Sequence, residues 1–74
     1  MASITSTRRD LREAARFIRE ERRELGLTPE ELGAKIQISG RTIRRIEDGA
    51  RPTVRTMFAL AQFFNVEVRD LWPA

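Results

Sequence analysis

Apolar residues recur three and four apart along nearly the whole chain, and the recurrence breaks only at turn-forming residues, so the pattern predicts helices and no strands. From about Thr7 to Leu25 one stripe holds Leu11, Ala14, Ala15, Ile18 and Leu25, with Thr7 and Asp10 as a capping box and Gly26 as the stop. A second helix follows Thr28. That residue is placed as N-cap, Pro29 as the first helical position where a missing N–H costs nothing, and Glu31 as the partner in a capping box. Leu32 and Ile36 form its buried stripe. Ser39 caps a third helix in the same way, leaving Gln37 and Ile38 to make the turn, and so short a connection forces the two helices across one another. Beyond the loop Gly49-Ala50-Arg51-Pro52, Thr53 caps a fourth helix with a core face of Val54, Met57, Leu60, Ala61 and Phe64, closed by Asn65 as a left-handed cap. A fifth, short helix runs from Val68 to Trp72 and ends at Pro73. Residues 1–6 are small and polar and are expected to be flexible, which leaves residues 7–74 as a single all-α domain.

The third helix carries the candidate chemistry. With Gly40 at zero, Ile43 and Ile46 fall near ~300° and ~240°, whereas Arg44, Arg41 and Arg45 fall near ~40°, ~100° and ~140°. The isoleucines dock and the arginines look outward. A helix of this width fits the major groove of duplex DNA, where an arginine donates two hydrogen bonds to O6 and N7 of one guanine. No acidic residue lies between Ser39 and Ile46 to oppose that. A solvated charged face explains the three arginines equally well when they are taken alone.

The first helix sorts its charges by face. With Arg8 at zero, Arg8, Arg12, Arg16, Arg19 and Arg23 lie within about 80° of one another, Asp10, Glu13, Glu20, Glu21 and Glu24 occupy about 120° to 220°, and the apolar stripe follows, with Arg22 on it. Two readings of the arginine stripe stay open: a solvated helix with flanking ion pairs such as Glu20 with Arg16 or Arg23, or a surface laid along a phosphate backbone or an acidic partner. Phe17 falls at about 180°, in the middle of the acidic face, and is a candidate surface for self-association or for a partner protein bound through helix one.

Composition narrows the class. The formal balance is +3, and of 14 basic residues only Lys35 is not arginine. There is no cysteine and no histidine, so neither a Ser-His-Asp constellation nor the usual zinc site can be assembled, and neither catalysis nor a metal or other cofactor is expected. No apolar run approaches the ~18 residues of a membrane span, and MASITST has no signal core, so a cytoplasmic protein on the nucleoid is expected, with no membrane and no small-molecule ligand.

From Ile18 to Trp72 the chain resembles the Cro and phage-repressor type of helix-turn-helix DNA-binding family. The resemblance is carried by RRELGL at 22–27, TPEEL at 28–32, ISGRTIRRIEDG at 38–49, RPT at 51–53 and LAQFFNVEVRDLW at 60–72, in that order and spacing. It implies a compact five-helix, lambda-repressor-like domain, here with an N-terminally extended first helix, that binds double-stranded DNA, usually as a regulator of transcription, and a repressor of the Cro or prophage kind is expected. It implies that Gly40, Arg41, Arg44 and Arg45 meet the groove, that Thr28 and Ser39 lie near phosphates at helix N-termini, with Thr42 and Arg51 as further phosphate contacts, and that Arg22 pairs with Glu47. Phe63 and Trp72 are read as core or dimer packing, and together with Val68 they mark the region through which many relatives pair as homodimers on DNA. An antitoxin-like protein-binding module with autoregulatory DNA binding, and an architectural or recombination accessory factor, are the alternatives that share the fold. Three positions depart from the pattern: Gln37 stands where relatives place a glycine that favours positive φ, Pro29 where a glutamine grips phosphate, and Gly40 where a side chain reads a base.

Overall fold

Hydroxyl caps and left-handed residues divide the chain as the sequence predicts. The computed structural model describes residues 2–73, with side chains from residue 11 onward, and those residues form α1 (Ala2–Glu24), α2 (Pro29–Ile36), α3 (Gly40–Glu47), α4 (Val54–Phe64) and α5 (Val68–Leu71). Thr28 Oγ1 accepts from the Glu31 amide at 3.1 Å while Glu31 Oε1 accepts from the Thr28 amide at 2.8 Å, completing the box at the start of α2. Ser39 and Thr53 cap α3 and α4 through the amides of Thr42 and Thr56. These bonds satisfy N–H groups that the first turn of a helix leaves without a partner.

The helix ends repeat one device. Gln37 and Asn65 are left-handed, at φ 61° and 60°, and the amide of the next residue turns back five positions: Ile38 to the carbonyl of Gly33 at 2.8 Å, Val66 to that of Ala61 at 2.9 Å. Gln37 therefore adopts the backbone that relatives give to glycine, and the turn keeps its shape at the cost of strain in a residue with a Cβ. Gly33 is required for a different reason. A Cβ there would run into the backbone carbonyl of Ile38, so α2 meets the turn more closely than any side chain permits.

Four fully buried side chains, Ile18 of α1, Leu32 of α2, Ile43 of α3 and Leu60 of α4, make the centre of the core, and Leu71 and Trp72 at the end of α5 close it. α1 packs on α3 and α5, and α2 crosses α3. α3 is thus seated on the long first helix, with α2 held between α3 and α4.

Several expectations need correction. α1 starts at Ala2 rather than Thr7, so Thr7 and Asp10 stand within the helix and not at its start; Ala2 to Ser6 contain neither Pro nor Gly to stop a helix propagating backwards. Val54 is exposed, because α4 reaches the core only a turn later, at Met57. Leu25 is also exposed, since the chain has left α1 and is turning at Gly26. Phe17 is half-buried rather than free on the acidic face: its ring meets Phe64 edge-on at 5.8 Å, and Phe64 in turn meets Phe63 at 5.0 Å. Angles computed on one isolated helix cannot register that α4 reaches round its flank.

Candidate nucleic-acid interface

Helix α3 presents two faces of opposite chemistry. Ile43 and Ile46 are buried, which fixes the rotation of the helix, and Arg41, Arg44 and Arg45 are exposed on the other side. Gly40 opens the helix, and Asp48 ends it as C-cap. Its far end is locked by charge: Arg22 Nε and Nη2 donate to Glu47 Oε2 and Oε1 at 2.7 and 2.9 Å, and Arg22 Nη1 donates to the Leu27 carbonyl at 2.8 Å. Both residues are buried. The bond from Arg22 to Glu47 raises the guanidinium pKa above its usual value, more than burial lowers it, so the arginine stays charged.

Arg19 belongs with this lock rather than with a free arginine stripe. Its Nη2 donates to the main-chain carbonyl of Glu47 at 2.7 Å, tying α1 to the last turn of α3, where the helix dipole concentrates negative charge. Arg12 and Arg16 line a shallow pocket with Arg19, Glu47, Asp48 and Gly49, so these arginines converge on the C-terminal end of α3. Arg23 lies apart on the other flank, among Glu20, Glu21 and Glu24. The side chain of Arg8 lies outside the described side chains.

The expected phosphate contacts sit at two unequal helix starts. Ser39 donates its hydroxyl to Thr42 Oγ1 at 2.9 Å while capping α3, which leaves the Thr42 hydroxyl hydrogen to donate outward, and no acid stands in this first turn. At α2, by contrast, the first turn carries Glu30 and Glu31, and the Glu31 carboxylate already takes the Thr28 amide. Thr28 retains only its hydroxyl for an anion. Arg51 is exposed in the loop after α3.

Sequence reasoning missed Glu30. Its carboxylate forms an ion pair with Arg44 Nη2, and both side chains remain 56% exposed. No acid within α3 opposes the arginines, but α2 brings one from outside; the helix crossing creates the contact, and the empty side chain at Gly40 was its only local signal.

Of the expected pairing residues, Val68 is half-buried and lines a groove between α4 and α5 beside the exposed Phe58. Trp72, at 5% exposure, forms part of the core, and its indole N–H is buried without a hydrogen-bond partner among the described residues. Phe17 likewise presents no free ring. Among the described residues, no helix is long and apolar enough to cross a membrane.

Residues 18–71 match the family described as helix-turn-helix. A protein of Archaeoglobus fulgidus described as an uncharacterized HTH-type transcriptional regulator is 38% identical over 56 residues, covering 74% of this chain and 80% of its own. No solved structure matches the chain significantly.

Proposed function

Because the chain belongs to the helix-turn-helix family of the Cro and repressor type, we propose that it is a sequence-specific DNA-binding regulator of transcription, a repressor of the Cro or prophage kind, reading the major groove with residues 40–48. One observation carries the reading: three exposed arginines on a helix whose opposite face is locked into the core by Ile43 and Ile46. A rigid support matters because a bidentate contact to guanine has a fixed geometry, and a rocking helix would lose it. In this reading Arg41, Arg44 and Arg45 meet base edges, Ser39, Thr42, Arg51 and the hydroxyl of Thr28 meet phosphates, and Arg12 and Arg16 extend the backbone contact. Two copies pair across the α4–α5 groove lined by Val68 and Phe58, placing half-sites about 10 base pairs apart. Such a regulator works on the nucleoid in the cytoplasm. The partner-binding alternative rested on an exposed Phe17 and on the acidic face of α1; with that ring packed on Phe64, only the acidic face favours it.

Selection of binding sites from random duplexes, followed by titration at several salt concentrations, tests the reading. Arg41→Ala should cost about 1–3 kcal/mol on the selected site and relax one position, whereas Arg12→Ala should weaken all sequences alike and lower the salt slope by about one. Equal losses for both variants on selected and random DNA would remove the assignment.

A further inference from the structure

A carboxylate on a surface meant for DNA is repelled by phosphate, so Glu30 needs a role or is a defect. Its position is specific. A Cβ built on Gly40 would lie 2.8–2.9 Å from Cγ, Cδ and Oε2 of Glu30, so Glu30 fills the volume that a side chain at residue 40 would need. Arg44 stands one turn further along the same face of α3 and holds that carboxylate. The first reading position of α3 is thus vacant on α3 itself and occupied by a side chain of α2.

We propose that Glu30 is a base-reading residue supplied from outside the recognition helix: its carboxylate accepts from the N4 amino group of a cytosine while it aims Arg44 at the O6 and N7 of a guanine in an adjacent base pair. The inference rests on α3 entering the major groove. The chemistry balances on both sides of the pair. One N–H of the five on Arg44 is spent on Glu30, leaving a fork for guanine, and the carboxylate keeps lone pairs to accept an amino proton. In the major groove cytosine shows a donor where guanine and thymine show acceptors, so a carboxylate is attracted to the first and repelled by the others. Away from its site the same charge faces phosphates, which lowers affinity for random sequence. Glu30 therefore raises specificity from both directions.

Site selection with wild type, Glu30→Ala, Glu30→Gln, Gly40→Ala and Arg41→Ala tests the assignment, with circular dichroism to confirm folding. Glu30→Ala should lose about tenfold of cytosine preference at one position, keep the position that depends on Arg41, and bind random duplex more tightly. Glu30→Gln keeps the size of the side chain and should move that position towards adenine, which an amide pairs through N6 and N7. Gly40→Ala should abolish the same preference by pushing the flexible Glu30 side chain aside. A motif unchanged in Glu30→Ala and Glu30→Gln, or a uniform gain on all sequences with the motif intact, overturns the proposal while leaving DNA reading through Arg41 standing. A wild type that selects no motif overturns DNA reading itself, and Glu30's role with it.

Discussion

Glu47→Ala isolates the lock at the end of α3. In the variant the buried Arg22 guanidinium loses its two carboxylate bonds, at 2.7 and 2.9 Å, and keeps only the Leu27 carbonyl. Stranding one partner of a buried pair costs about 3–5 kcal/mol. Arg19 changes that little: its 3.8 Å approach to Glu47 Oε1 is made by a side chain 39% exposed, and its stronger bond goes to the main-chain carbonyl, which alanine retains. A domain of this length has roughly 4–11 kcal/mol of stability in all, so the loss takes from about a quarter of it to more than the whole. At about 2.1 cal/mol/K of unfolding entropy per residue, each kcal/mol moves the Tm of 74 residues by roughly 6 °C, and the expected fall is ~20 °C or more. Thermal unfolding followed by far-ultraviolet circular dichroism reads it directly. The double variant Arg22→Met with Glu47→Leu should recover most of the loss, because an apolar pair of similar volume removes both desolvation penalties. A Glu47→Ala protein melting within about 3 °C of wild type would show that the pair does not hold α3, and the reasoning about a rigid recognition helix would lose its support.

Two further outcomes test the turn. Gln37→Gly should raise stability by about 0.5–1 kcal/mol in urea unfolding, since it relieves a left-handed residue at φ 61° at some cost in unfolded-state entropy; a destabilised variant would contradict the strain. Gly33→Ala should destabilise by about 1–3 kcal/mol, because its methyl overlaps the Ile38 carbonyl and α2 must move off the turn; an unchanged urea midpoint would mean the turn yields freely.

Local rules reached far in this chain, and their failures share a cause. The caps at Thr28, Ser39 and Thr53, the left-handed Asn65 and the buried faces of α2 and α3 were legible because each depends on residues within about five positions of one another. The arginine face of α3 was legible for the same reason. Arg22 with Glu47 could be named only through family resemblance, because 25 residues separate the partners and no periodicity links them. Tertiary structure alone decided the rest. It brought Glu30 to Arg44 across 14 residues, turned Arg19 from a candidate phosphate contact into a donor to the Glu47 carbonyl across 28, and covered Phe17 with a ring from α4. The amino-acid order determined which helices form and which face of each is apolar, because those depend on short-range hydrogen bonds and on 3.6 residues per turn. Which polar side chains meet between helices was decided by crossing angles and packing distances, which no single helix encodes.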